Sequence, residues 1–474
     1  MTMARRRAHA ATHRVTRPYR GRPYAPQPRT SHDNVREAAA WVVERTLTTL
    51  SPSSVFLESA LARCDECDHP LLRELALGSL RWLRRLDHVI AEASHRPFED
   101  IEPKLRAPLR VAAYQLLFLD RIPAHAAVHE GVEQARRQTH RGGASFANAV
   151  LRRIARHPDL GDWPVKNGDS LHRLAIEKSH PDFLVERWHR RLGLERAVAL
   201  LDANNRPKAL QLLAFSDRGG RDLLAERLID ESILVEPSVL SPQGLIVRGG
   251  NPLHTDLYRR GDFYVQDEAS QATALIPPPR PEERILDAAA APGGKSFSLI
   301  AMEPTVRLSL MDVSTERLVR LRHNLRRLGR HLPVALADAG RPPSRARFDR
   351  VVLDLPCTGT GTLRKNPELK WRISEPEIGR LAQQALRLLD GVAPLVADDG
   401  LLVTITCSLE PEENEAVIAA FLEKYREFSP LPLESLLGYP LDRWITGLGS
   451  WRLHPEGDHD GFTVHVLARR RPAV

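Results

Sequence analysis

Near residue 290 an apolar strand ends in an acid, crosses a glycine-rich turn and enters a helix, in the run "RILDAAAAPGGKSFSLI". A strand followed at once by a helix returns beside its neighbour in parallel, because the helix must cross a sheet face first. The surroundings repeat the unit. Strands are predicted at "RILDA" (284–288), "VRLSLMD" (306–312), "VALAD" (334–338), "RVVLDL" (350–355), "LLVTIT" (401–406) and "FTVHVLA" (462–468). Helices fit between most of them, notably "STERLVRLRHNLRRLG" and "EPEIGRLAQQALRLLDGVAPLV". Residues 263–474 are therefore predicted to form a doubly wound, Rossmann-like α/β domain with its ligands at the carboxyl ends of the strands.

At 474 residues the chain exceeds what one core usually holds, so further domains are expected. Residues 31–157 read as an all-α bundle. "VREAAAWVVERTL" places Val35, Ala38, Ala39, Val42 and Thr46 on one stripe, and "LRELALGSLRWLRRLDHVI" does the same for Leu75, Trp82, Leu83, Leu86 and Ile90. "ASFANAVLRRIARH" carries Arg152, Arg153 and Arg156, either phosphate contacts or a solvated helix face. Residues 158–262 read as a linker rich in Pro and Gly, followed by a small α+β insert. In the insert, short strands "ALQLLAF", "ILVEP" and "GLIVRG" surround the helix "GRDLLAERLID".

Residues 1–30 hold eight arginines and no acid, and read as a disordered basic tail suited to a phosphate backbone. Without them, basic and acidic residues balance at 60 each, so the net charge of +8 does not by itself argue for nucleic acid. The tail lacks the apolar core of a secretory signal, and Pro18, Pro23, Pro26 and Pro28 break the helix of a transit peptide. With no membrane-spanning run, a cytoplasmic address and no membrane partner are expected; no protein partner is inferred. Four cysteines are too few for a disulfide framework, and the lone pair Cys64 and Cys67 lacks a second ligand pair, so no metal is expected.

The chemistry gathers at the predicted strand ends. Pro292-Gly293-Gly294 makes a turn whose backbone can approach a ligand closely. The run matches neither the dinucleotide nor the Walker pattern, which favours a nucleotide-like ligand without a polyphosphate. Asp312 and Asp338 end the next two strands, placed for ribose hydroxyls and an adenine amine; each is otherwise a helix cap. Asp354 and Cys357 follow the fourth strand in "DLPCTGTG", and Cys407 follows the fifth in "TCSLEPEEN". A lone cysteine is usually a small buried hydrophobe, but two in polar loops at adjacent strand ends are not.

"ILDAAAAPGGKS", "DLPCTGTG", "TCSLEPEEN", "YVQDEASQ" and "HDGFTV" together resemble the RNA 5-methylcytosine methyltransferases of the Sun/RsmB family, over about 210 residues. "HPDFLVERW" and "ANNRP" are similar to that family's linker region. "AAYQLLFLDRIPAHAAVHEGVEQA" and "FANAVLRRI" resemble the NusB-like RNA-binding domain of its bacterial 16S rRNA branch. The chain departs from the family at Ala288-Ala289, where Leu-Cys is frequent, and in "LLAFSDRGG", which lacks a usual Arg and Asn.

The resemblance implies an S-adenosyl-L-methionine-dependent RNA (cytosine-C5)-methyltransferase acting on 16S rRNA. It implies Cys407 as the nucleophile at cytosine C6, Cys357 in release of the product, and Asp354 and Lys295 at the reacting base. Ala289, Ala290, Ala291, Pro292, Gly293, Gly294, Lys295, Asp312, Arg317, Asp338 and Asp354 are the expected cofactor contacts. Only eight of 68 basic residues are lysines, so an amine at position 295 is not composition alone. Alternatives are a tRNA cytosine-C5 methyltransferase or a non-catalytic NusB-like RNA-binding factor. An amino-group methyltransferase fits less well, since Asp-Leu-Pro-Cys stands where such enzymes carry Asn-Pro-Pro-Tyr.

Overall fold

The computed structural model describes residues 34–471 apart from Leu50, Tyr439 and Leu448. The basic tail expected over residues 1–30 lies outside the described residues.

The first part is a helical bundle built from Val35–Thr49, Ser53–Leu61, His69–Arg81, Leu83–Ser94, Pro103–Phe118, Ala124–Gln138 and Arg141–Arg156. The stripe Val35, Ala38, Ala39, Val42 and Thr46 is buried. Gly78 lets two helices touch, since a Cβ there would lie 2.1 Å from the Tyr114 ring. The second stripe is split between two helices, because the chain leaves helical geometry at Trp82 (φ −101°, ψ 18°). Leu75, Leu83, Leu86 and Ile90 still reach the core, while Trp82 is half-buried and stacks on Phe118 at 4.8 Å.

The stretch read as linker is partly helical. Ser170–Glu177, Asp182–Leu192 and Leu194–Asn205 form a three-helix unit around Trp188. Its core continues into Leu363, Ile373, Ile378 and Leu409 of the last domain. After it comes an antiparallel sheet of β1 (Gln211–Ala214), β2 (Leu234–Pro237), β3 (Gly244–Gly249) and β4 (Phe263–Val265), in the order β2-β3-β1-β4. Strand β4 falls where the sequence suggests the start of the last domain, but it pairs with β1, so this sheet extends past residue 262.

The large sheet contains β5 (Arg284–Asp287), β6 (Arg307–Asp312), β7 (Val334–Leu336), β8 (Phe348–Asp354), β9 (Val396–Thr406), β10 (Phe428–Pro430), β11 (Ser450–Leu453) and β12 (Phe462–Arg469). Its order is β10-β12-β9-β8-β5-β6-β7, with β11 on β12. Strands β5 to β9 are parallel, whereas β12 runs antiparallel to β9. The chain winds outward from β5 in both directions. The crevice beside the carboxyl ends of β5 and β8 is therefore the switch point at which such sheets bind ligands.

The segment after Cys357 joins three parts of the molecule. Lys370 is fully buried, and its Nζ donates to Arg81 O (3.1 Å), Ser179 O (3.2 Å) and Asn205 Oδ1 (2.6 Å). Trp371 Nε1 donates to Leu80 O at 2.9 Å, and Glu368 Oε1 accepts from Ser53 N at 3.0 Å. The helical bundle is thus fixed to the loop that carries Cys357, through groups that are mostly buried.

Candidate active site

Strand β5 ends in Asp287, which holds its own turn: Oδ2 accepts from Ser296 Oγ at 2.6 Å and Oδ1 from Ala289 N at 3.3 Å. Burial pushes this carboxyl up to about 6. Gly293 has φ +117°, and a Cβ there would fall 2.3 Å from the Phe297 ring, so the turn requires glycine. The helix Gly294–Met302 then presents Lys295 inward.

Asp312 is 1% exposed at the end of β6 and accepts from Ala291 N (3.2 Å) and Ser314 N (2.8 Å). Arg317 lies 2.9 Å from its Oδ1. Asp338 sits two residues beyond β7, where Arg387 Nη1 meets its Oδ2 at 2.9 Å. Asp312, Arg317, Asp338, Asp354, Ala289 and Ala291 all line one cavity of about 300 Å³, which reaches Cys357 and Cys407. Ala290, Pro292, Gly293, Gly294 and Lys295 shape the turn without lining that cavity. Gln384 and Arg387, from the helix Glu375–Val392, line it and were not foreseen. Alternation along that helix gives no hint that these two face a ligand.

At the other end the two thiols meet, with Cys357 Sγ 3.4 Å from Cys407 Sγ. The contact polarises the pair. The hydrogen bond from Cys357 holds the Cys407 thiol below its ordinary range, against the opposing effect of burial. The same bond, with burial, pushes Cys357 well above it. Of the two sulfurs, Cys407 is the one whose ionisation the contact favours. Lys295 Nζ donates to Asp354 Oδ2 at 2.6 Å and lies 5.4 Å from the centre of the Phe462 ring. Burial opposes the ammonium charge, but Asp354 outweighs it and raises Lys295 above its ordinary value.

Glu413 was also missed. Its carboxylate accepts from Thr358 N (2.8 Å) and Thr358 Oγ1 (2.6 Å), fixing the residue after Cys357. Burial raises its carboxyl. Gly361 N donates to Cys407 O at 2.8 Å, and Gly461 N to Gly361 O at 2.7 Å. The motifs containing Cys357, Cys407 and "HDGFTV" are therefore one hydrogen-bonded unit. At the helical bundle's CxxC, His69 Nε2 lies 2.9 Å from Leu61 O rather than facing a ligand set.

Small alanines leave the cavity open, carboxylates face it at successive strand ends, and apolar Leu355, Pro356 and Leu388 complete its wall. These are the donors and surfaces that an adenosine with a sulfonium needs. Fold and site together define an S-adenosylmethionine-dependent methyltransferase. The 16S rRNA methyltransferase RsmB/F family model matches residues 274–465, the NusB family model residues 33–156, and the model of an RsmF/B-like ferredoxin-like methyltransferase domain residues 180–254. The chain is 32% identical over 414 residues to the probable ribosomal RNA small subunit methyltransferase B of Bacillus subtilis, covering 85% of this chain and 92% of that one. It is also 32% identical over 398 residues to ribosomal RNA small subunit methyltransferase B of Escherichia coli, covering 82% and 90%. The crystal structure of PH0851 superposes with a TM-score of 0.76 at 26% identity, over 92% of this chain and 99% of that one. The chain belongs to the 16S rRNA methyltransferase RsmB/F family, and it is an RNA methyltransferase. The expected fold class, an all-α NusB-like domain, a small α+β domain and a Rossmann-like methyltransferase domain, is borne out.

Proposed function

We propose that this enzyme methylates carbon 5 of a cytosine in 16S rRNA, in the cytoplasm, through a transient bond between Cys407 and cytosine C6. The polarised contact between Cys357 and Cys407 carries the reading. Carbon 5 of cytosine is a poor nucleophile until a thiolate adds at carbon 6. Asp312 and Asp338 hold the adenosine of S-adenosylmethionine, with Arg317 and the 289–291 backbone beside them. When bound, this cofactor supplies an electrophilic methyl group. Asp354 meets the cytosine at N3 and its exocyclic amine, where charge shifts during attack, and Lys295 orients Asp354 and balances it. After transfer Cys357, its own proton having passed to solvent, takes the carbon 5 proton as a thiolate, and the electron pair of that C–H bond re-forms the double bond and expels the Cys407 thiolate. The target base must leave its stack to reach the sulfur.

Bisulfite sequencing of rRNA and tRNA from a deletion strain tests the substrate. Loss of one mark in 16S rRNA, restored by the intact gene and not by a Cys407→Ala copy, is expected. Loss confined to tRNA refutes the assignment to 16S rRNA. Covalent trapping of wild-type protein on RNA carrying 5-fluorocytosine tests the chemistry, and no trapped species refutes the adduct.

A further inference from the structure

A second cavity, of about 360 Å³, opens between the three-helix unit and the loop that leads into β12. Leu200 and Ala203 of the helix Leu194–Asn205 line it together with Pro455. Arg196, Arg206 and His454 line it as well. The reaction chemistry uses none of these residues.

The wall combines an apolar surface with two solvent-exposed arginines, Arg196 and Arg206. Arg191 and Arg452 nearby are paired with Glu410 and Glu415. The side chains of Arg196 and Arg206 have no hydrogen-bond or carboxylate partner among the described residues. Two unpaired arginines beside buried leucine and alanine leave an anion-binding rim over an apolar floor. His454 has no side-chain partner among the described residues either, and burial together with Arg452, Arg191 and Arg196 pushes it down to about 4. It is therefore neutral at pH 7, able to donate or accept. Glu456, also in the wall, offers an acceptor to an amine rather than a contact to a phosphate.

The cavity is also tied to the reacting thiols. Arg364 Nη1, seven residues past Cys357, donates to Gly457 O at 2.8 Å. Gly461 bonds to Gly361, and Gly361 to the carbonyl of Cys407. One wall is thus continuous with both thiol-bearing loops.

We propose that this cavity takes one nucleotide of the RNA strand flanking the target cytosine, with its base against Leu200, Ala203 and Pro455 and its phosphate on Arg196 and Arg206. The proposal rests on the reading of the chain as an RNA methyltransferase. A strand splayed to deliver one base to Cys407 has unstacked neighbours, and proteins read single-stranded RNA by receiving such bases in pockets. The volume lies at the small end of ligand sites, which suits one nucleotide and excludes a duplex.

The test uses the full-length protein and an unmodified 16S rRNA transcript. Arg196→Ala/Arg206→Ala should raise the KM for RNA about tenfold and lower the salt slope of binding by about 2, one for each phosphate-binding arginine removed. S-adenosylmethionine affinity and the thermal midpoint should stay at wild-type values. Ala199→Trp fills the cavity from an exposed helix position, so it threatens the core little. With transcripts made abasic at single positions around the target, wild-type binding should drop several-fold at one flanking position, and Ala199→Trp should show no further drop there. Unaltered KM and salt slope in the arginine variant, or the same abasic profile in both proteins, overturns the proposal. Failure of the underlying reading looks different: wild-type protein would then transfer no methyl group to RNA, and the pocket falls with it.

Discussion

Changing Lys370 to Met removes three N–H donors while keeping the length and apolar bulk of the side chain. Lys370 has no carboxylate partner among the described residues; burial first, and then Arg81, lowers its pKa well below the usual value. Its stability rests on three oxygens drawn from three parts of the chain: Arg81 O, Ser179 O and Asn205 Oδ1. Each acceptor orphaned in a buried site costs about 1–3 kcal/mol, so the three together lose roughly 3 kcal/mol at the lower end of that range. Relief of a poorly solvated cation offsets part of the loss, leaving a net cost of about 1–3 kcal/mol. The loss should fall on docking of the helical bundle, not on the interior of either sheet. Urea titration followed by tryptophan fluorescence should show an earlier first transition, because Trp371 sits in the same joint. Limited proteolysis should cut faster between the bundle and the three-helix unit. An unchanged first midpoint with unchanged cleavage, or a net stabilisation, would refute the claim that this ammonium joins the domains.

Three further outcomes follow from the site. Cys407→Ala should bind RNA yet form no covalent band on a denaturing gel, whereas Cys357→Ala should leave a stable RNA–protein band, and exchanged bands would exchange the roles. Alkylation of Cys407, followed by peptide mass spectrometry in reducing buffer, should accelerate with pH around a midpoint below the ordinary thiol range; Cys357→Ala should move that midpoint upward, since the donor that favours the thiolate is gone, and an unmoved midpoint would show that Cys357 does not set it. Asp312→Ala should weaken S-adenosylmethionine binding by about 1–3 kcal/mol in calorimetry, while Asp338→Ala, at a side chain 35% exposed where that of Asp312 is 1% exposed, should cost less; equal losses would contradict this ranking.

Most of the candidate site was legible because its groups follow strands and sit beside a residue with one conformational purpose, such as Gly293. Breaks and joints were harder. Nothing in the apolar stripe around Trp82 marks the end of one helix and the start of another, because the hydrophobic period continues through the break. The helix Ser170–Glu177 was hidden by the Pro and Gly residues before it, although Asp169 supplies a cap by accepting from His172 N at 2.8 Å. Strands β10 and β11 are too short for alternation to register, and β10 ends in Pro430. In "EPEEN" the residues are visible but their tasks are not. Glu410 holds Trp188 and two arginines, Glu412 pairs with Arg187, and Glu413 fixes Thr358. Only the packing of the three-helix unit against that loop separates them.

The thiol contact also gives the proposed reaction its order. Before attack, the hydrogen bond to Cys407 and burial both favour the thiol form of Cys357, which disfavours Cys357 as a base while Cys407 is free. Bonding of Cys407 to carbon weakens that hydrogen bond, and with it the strongest reason for Cys357 to stay protonated. In the proposed reaction the adduct therefore makes the release base easier to ionise. Burial still opposes its ionisation, as do the carboxylates of Glu413 and Asp354, so Cys357 gives up its proton to solvent reluctantly and the resulting thiolate is a strong base toward carbon 5. When Cys407 is expelled as a thiolate and Cys357 holds the carbon 5 proton, the starting hydrogen bond re-forms. A serine at position 357 would break this cycle at its second half, because a hydroxyl would donate to Cys407 yet could not lose its proton near neutral pH. Cys357→Ser should accordingly attack as readily as the wild type and accumulate adduct. Turnover at the wild-type rate with no adduct on the gel would show that another group removes the proton.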